Sequence, residues 1–142
     1  MDTISQLVTT RPMVALHIFA MLGAVALGAM LLLRRKGTID HRRLGWAWVV
    51  LIGIAGATGM FIHGSSAMPR WNGWSPIHLL VPMVATLVPI GILAVRRGNV
   101  RAHRKTMTGL YVGACVIAGA FTLLPGRVLG NLVWKQWLGM IA

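Results

Sequence analysis

Long apolar runs alternate with short polar segments along most of the chain. Four such runs occupy residues 12–33, 45–62, 77–95 and 107–124, and none of them contains Asp, Glu, Lys or Arg. Each run is close to the roughly 20 residues that an α-helix needs to cross about 30 Å of hydrocarbon. The pattern therefore predicts an all-α protein, with a four-transmembrane-helix bundle as its single domain over residues 1–142.

The remaining C-terminal segment, residues 128–142, differs from the four runs. It contains Trp134, Lys135 and Trp137 and is too short and too rich in tryptophan for a fifth span. A short segment with tryptophan and lysine side chains is typical of a helix that lies in the membrane interface. We therefore expect an interfacial helical tail after the fourth span.

Composition supports a membrane location. The chain has 142 residues, of which 56% are hydrophobic, and its mean hydropathy is +0.73. That value is far too apolar for a soluble domain of this length. The single cysteine, Cys115, lies in the middle of the fourth run, so it cannot form a disulfide within the chain.

The basic residues are unevenly distributed. Five of the 14 Lys and Arg lie between runs one and two, five lie between runs three and four, and four lie elsewhere. Loops rich in Lys and Arg stay in the cytoplasm. The asymmetry predicts cytoplasmic basic loops, where anionic lipids would meet them, and places both termini outside. It also argues against nucleic acid as the reason for the net charge of +12.

The two halves of the chain have similar landmarks. His17 precedes a pair of arginines by 17 residues, and His78 precedes another pair by 18. His41 and His103 each stand directly before an arginine in the two basic loops. The correspondence suggests a duplicated helical hairpin, related by an axis along the membrane normal.

Three histidines share the outer end of the predicted bundle. His17 lies about 7 Å below the start of run one, at 1.5 Å per residue, and His63 and His78 flank the turn between runs two and three. Ionisable side chains within spans are costly and are candidates for function. We expect haem b to be held by His17 and His78, with His63 as a further donor or alternative ligand. Arg70 and Arg127 would contact the propionates.

Other interpretations of these side chains remain open. The three outer histidines suit a copper or zinc ion, and one of them suits a quinone carbonyl. They also suit hydrogen bonds that only hold helices together. His41 and His103 order the basic loops and meet lipid phosphates, or they form a second haem or quinone site on the cytoplasmic side. With two acidic residues in the chain, Asp2 and Asp40, general acid–base hydrolysis is disfavoured.

Several motifs resemble one known family. They are Lys36-Gly-Thr followed by His41-Arg-x-Leu-Gly-Trp, Ser75-Pro-Ile-His78, His103-Arg-x-x-Met, and the block Phe121-Thr-Leu-Leu-Pro-Gly-Arg127. From His17 to about Gly130 the chain resembles a family of bacterial inner-membrane proteins catalogued as domain of unknown function 2306 (DUF2306). The resemblance implies four spans in a small protein of the bacterial inner membrane, and it implies no particular activity. Together with the charge asymmetry, which places both termini outside, this predicts periplasmic termini.

Taken together, these observations favour a small b-type cytochrome that carries electrons between the quinone pool and an outer partner. Two alternatives stay open: a non-catalytic accessory or assembly subunit of a larger membrane complex, and a copper- or zinc-binding membrane protein. Because four spans are few for a self-contained transporter, we expect a homo-oligomer or a subunit.

Overall fold

The computed structural model describes residues 8–62, 76–124, 128–131, 133–134 and 139. Within these residues all regular structure is helical and there is no β-strand. The expectation of an all-α protein is therefore confirmed. The helices are, in chain order, α1 (Pro12–Leu33), α2 (Ile39–Phe61), a 3₁₀ turn (Pro76–Leu79) leading into α3 (Leu80–Arg96), α4 (Val100–Leu110), a π-helix (Tyr111–Ile117), α5 (Ala118–Thr122) and α6 (Val128–Asn131).

The ends of α1 and the start of α2 follow from local chemistry. Pro12 occupies the first turn of α1, where its fixed φ suits a helix and its missing N–H costs nothing. After Leu33 the chain turns through Gly37, whose φ of 84° favours glycine. Helix α2 begins at Ile39, before the apolar run, because the Thr38 hydroxyl caps it by accepting the backbone N–H of His41 at 3.1 Å.

Helix α4 also begins well before its apolar run. The Asn99 side chain caps it by accepting the backbone N–H of Ala102 at 3.0 Å. Gly98, with φ of 77°, makes the turn from α3. Helix α4 continues without a break through the π-helix into α5. The helical path therefore extends from Val100 to Thr122, whereas the apolar run starts only at residue 107.

The helices form a closed bundle in which neighbours along the chain are neighbours in space. Helix α1 packs on α2, α2 on α3, α3 on α4, and the π-helix packs back on α1. Consequently α1 and α3 occupy opposite sides of the bundle. This is the diagonal arrangement that an up-and-down four-helix bundle produces.

A tight contact joins α1, α2 and the π-helix. Trp48 is buried and its Nε1 donates to the Ala24 carbonyl oxygen at 3.0 Å, while the Tyr111 hydroxyl donates to the Val25 carbonyl oxygen at 3.2 Å. Gly28 lies under both rings, since a Cβ there would lie 2.5 Å from Tyr111 Cε2 and 2.9 Å from Trp48 Nε1. This aromatic contact forms part of the buried core.

The outer surface of the described bundle suits lipid. Helices α1 and α2 are long and apolar enough to cross a membrane, and α3 is a shorter apolar helix. Large apolar side chains are exposed on several helices, among them Phe19, Leu22, Val50 and Ile90. Hydrophobic side chains on the outside are what a hydrocarbon environment favours.

Only part of the C-terminal tail lies within the described residues. Helix α6 has four residues, and Trp134 Nε1 donates to the Leu123 carbonyl oxygen at 2.7 Å. That bond ties the tail to the chain just beyond α5. The interfacial helix expected over residues 128–142 falls largely outside the described residues and stays a prediction.

Candidate functional site

We call the end of the bundle that holds the two basic loops, residues 34–43 and 96–105, the inner end, and the opposite end the outer end. His17 lies towards the outer end, half-buried between α1 and α2. Its Nδ1 is 2.9 Å from the Ala55 carbonyl oxygen and 3.2 Å from Thr58 Oγ1. These two oxygen atoms therefore decide which ring nitrogen carries the proton.

Both atoms that face Nδ1 of His17 accept hydrogen bonds. The Ala55 oxygen is a carbonyl, and the Thr58 hydroxyl gives its own proton to the Ile54 carbonyl oxygen at 2.7 Å. Nδ1 must therefore donate. Neutral imidazole carries one N–H, so this tautomer leaves a lone pair on Nε2. His17 is thus held with one nitrogen committed to the protein and the other able to bind a metal.

Gly59 permits the close approach of His17 to α2. A Cβ at Gly59 would lie 3.3 Å from Cε1 of the ring, which is tighter than an ordinary contact. The backbone carbonyl and the glycine together fix the orientation of the imidazole. Histidines that bind metals usually donate their other N–H to a carbonyl or carboxylate in this way.

His78 lies in the 3₁₀ turn that precedes α3 and is buried, with 8% of its surface exposed. The inner end contains the C-terminus of α3, because His103 in α4 contacts Gly91. The start of α3 is therefore at the outer end. His17 and His78 share that end and stand on helices at opposite sides of the bundle.

The other predicted members of the outer site, His63, Arg70 and Arg127, lie outside the described residues. The three-histidine metal site and the propionate contacts therefore stay predictions. Among the residues that the structure does describe, no group of three or more His, Cys, Asp and Glu side chains is arranged to hold a metal ion.

The two inner histidines approach each other. His103 Nδ1 donates to the Gly91 carbonyl oxygen at 2.8 Å, which ties the first turns of α4 to α3. His41 lies within electrostatic reach of His103 and of Lys36. Nδ1 of His41 is buried, and no residue in the described ranges forms a hydrogen bond with it. The pair expected from the repeat therefore shares one end of the bundle.

A family comparison covers this whole arrangement. The family described as "Predicted membrane protein (DUF2306)" matches residues 14–140. The chain is a member of the DUF2306 family. All five histidines of the DUF2306 protein fall within the matched range. No match to the chain was found among curated proteins or among solved structures.

Thr58 is a part of the site that the sequence did not reveal. It is buried, with 6% exposure, and contacts His17 while donating within its own helix. The available signal was a single hydroxyl among the small residues Gly53, Ala57 and Gly59 of the second run. Such a hydroxyl can be satisfied by its own helix alone, so the pattern did not point to His17.

Replacing Thr58 by valine in the DUF2306 protein is expected to lower the free energy of unfolding by about 1 kcal/mol, because interhelical hydrogen bonds in membranes contribute about that much. Thr86→Val is the matched control, since the exposed Thr86 hydroxyl donates to the carbonyls of Pro82 and Met83 and contacts no other helix among the described residues by a hydrogen bond. Unfolding by SDS in detergent micelles would measure both. Equal effects would show that His17 gains nothing from Thr58.

Proposed function

We propose that this DUF2306 protein is a small membrane electron carrier of the b-type cytochrome kind, with haem b ligated by His17 and His78. The observation that carries the proposal is the hydrogen-bond geometry at Nδ1 of His17. Its Nδ1–H is committed to the Ala55 carbonyl and Thr58, so Nε2 offers a lone pair. This is the arrangement that a ligating histidine needs.

The bundle geometry supports the same pair of ligands. Adjacent helix axes lie about 9 Å apart, so diagonal helices are about 13 Å apart, which leaves room for a porphyrin held edge-on between two imidazoles. Helices α1 and α3 are diagonal, and His17 in α1 and His78 in the 3₁₀ turn before α3 lie at the same end. Burial of His78 provides the water-excluded surroundings that such a site requires.

The proposal includes four membrane spans with both termini in the periplasm of a bacterial inner membrane. Four observations support it. Helices α1 and α2 are long enough to span, the 3₁₀ turn with α3 covers residues 76–96, and the α4–π–α5 path covers residues 100–122. The two basic loops lie together at the inner end, as the positive-inside rule expects for cytoplasmic loops.

Each side chain has a separate task in this proposal. The cofactor would supply one-electron chemistry, and the protein supplies ligands, burial and charge. His63 would add a donor near the ligands, and Arg70 and Arg127 would pair with the haem propionates. Electrons would pass between the quinone pool and an outer partner. The inner pair, His41 and His103, would serve a second haem or a quinone.

Absorption spectra of the purified protein, oxidised and reduced with dithionite, test the proposal when haem is supplied during expression. A Soret band with split visible bands is expected. His17→Asn should abolish it, because asparagine keeps a donor near Nδ1 but has no Nε2 ligand. His78→Ala should abolish it as well. His103→Asn removes an equivalent histidine bonded to a carbonyl and should leave the outer-site spectrum unchanged.

A colourless protein would overturn the haem proposal. Stoichiometric copper or zinc, lost together with His17 or His78, would assign the same histidines to a metal site. If the protein is colourless and metal-free, and if His17→Asn is as stable as the unsubstituted protein, then the Nδ1–H hydrogen bond to α2 is all that His17 contributes. His17 would then serve helix packing alone.

One observation favours the second candidate, an accessory or assembly subunit of a larger membrane complex. Gly53 and Ala57 stand four residues apart on an exposed face of α2, and a Cβ at Gly53 would meet nothing within 4 Å. Small residues at this spacing allow another helix to approach closely. Gly53→Leu should then reduce co-purification of a partner or a second copy, and it should leave any haem spectrum intact.

A further inference from the structure

A groove lies on the surface between α3 and the start of α4. Its volume is about 400 Å³, and it is lined by Ile90, Leu93, Ala94, Arg97 and Asn99. Ile90 and Leu93 are 53% and 46% exposed, so the groove opens towards the surroundings of the bundle. From Ile90 to Arg97 the helix rises about 10 Å. The groove therefore has an apolar wall along α3, and the guanidinium of Arg97 lies where this wall meets the inner end.

Arg97 has no carboxylate of its own hairpin to pair with. Five Lys and Arg side chains lie between residues 96 and 105, and no Asp or Glu follows Asp40 anywhere in the chain. Asp40 itself stands in the first turn of α2 and does not line the groove. An anion that pairs with this cluster of cations must therefore come from outside the hairpin.

Asn99 adds hydrogen-bond donors beside Arg97. Its Oδ1 accepts the Ala102 backbone N–H, which fixes the side-chain amide as the cap of α4. Because Oδ1 accepts the bond that caps α4, the Nδ2 amide group is the part of the side chain that can donate to a ligand. Guanidinium and amide N–H groups are good partners for phosphate oxygens.

We infer that this groove is a binding site for an anionic phospholipid of the adjacent leaflet. The phosphate lies on Arg97 and Asn99, and an acyl chain covers the apolar wall at Ile90, Leu93 and Ala94. An inorganic phosphate would satisfy the polar end and leave the wall uncovered, so the groove fits a lipid better. The site is at the inner end and does not depend on any cofactor at the outer end.

Binding of phosphatidylglycerol and phosphatidylcholine to the full-length protein in neutral detergent tests this inference. About 0.5 M salt shortens the screening length to a few ångström and suppresses diffuse attraction. Phosphatidylglycerol should bind at least about tenfold more tightly than phosphatidylcholine, and Arg97→Gln should lose about that factor, since charge-assisted hydrogen bonds to phosphate are strong. Native mass spectrometry would count the bound lipids.

Two further variants separate the site from its surroundings. Arg101→Gln removes the same charge from an exposed position that does not line the groove, and it should change binding by less than about twofold under screened conditions. Ala94→Trp keeps every charge and fills the apolar wall, so it should displace the lipid.

Equal losses in Arg97→Gln and Arg101→Gln would overturn the inference in favour of diffuse attraction to the basic loop. Equal binding of the two lipids would remove the role of charge. Full competition by inorganic phosphate, or unchanged binding in Ala94→Trp, would assign the polar end to a free phosphate and overturn the lipid site.

Discussion

Gly28→Ala is expected to lower the free energy of unfolding by about 1–3 kcal/mol, the usual cost of adding a methyl group to a packed interior. The new Cβ would lie 2.5 Å from Tyr111 Cε2 and 2.9 Å from Trp48 Nε1. Neither ring can move freely, because each donates a hydrogen bond to a carbonyl of α1. The clash must therefore separate α1 from its neighbours or break these bonds.

Gly53→Ala is the matched control for this substitution. Gly53 is a glycine of α2, within the second apolar run, and a Cβ there would meet nothing within 4 Å. Alanine has a higher helix propensity than glycine, so this variant should be neutral or slightly stabilising. SDS titration in detergent micelles would compare the two variants. Equal stability of Gly28→Ala and Gly53→Ala would contradict the aromatic contact described above.

Trp48→Ala is expected to destabilise the bundle by about 3–5 kcal/mol, the range measured when a buried aromatic side chain is removed. Trp48 is 4% exposed and contacts the backbone of α1 through its Nε1. Its loss would leave a cavity between α1, α2 and the π-helix and remove one interhelical hydrogen bond. Because lipid tails are apolar too, the cost comes from lost packing rather than from exposure to water.

Trp46→Ala removes the same side chain from the same helix two residues earlier. Trp46 is 54% exposed, so its replacement should change the free energy of unfolding by less than about 0.5 kcal/mol, as for most surface positions. The same SDS titration measures both variants. A similar loss for the two tryptophans would mean that Trp48 contributes through the membrane interface and not through packing.

The sequence predicted the class of fold and much less of its detail. Stretches of about 20 residues without charge indicate helices in lipid. A loop or an open sheet edge would leave backbone N–H and C=O groups without hydrogen bonds in hydrocarbon, and the cost of that is too high. Apolar runs do not reveal helical turns that are made of polar residues. Helices α2 and α4 therefore begin before their apolar runs, where Thr38 and Asn99 provide caps. The π-helix has no pattern of its own in the hydropathy.

The candidate site shows a similar division. His17 was a candidate because ionisable residues are uncommon in membrane spans. His41 and His103 were candidates because of the repeat, and the structure brings them to one end of the bundle. The orientation of His17 was not predictable, because it depends on a carbonyl 38 positions away in sequence. Thr58 contributes to the choice of which ring nitrogen of His17 carries the proton, and Gly59 lets the ring approach α2 closely.

The π-helix at Tyr111–Ile117 also has a consequence for how this family tolerates change in length. Its wider turns carry bonds from residue i to residue i+5, so it holds one more residue than an α-helix over the same rise. Shortening the segment by one residue would return it to α-helical winding, while the flanking α4 and α5 keep their own bonds. Single-residue gaps between relatives should therefore fall here more often than in α1, where a deletion would rotate every following side chain by about 100°.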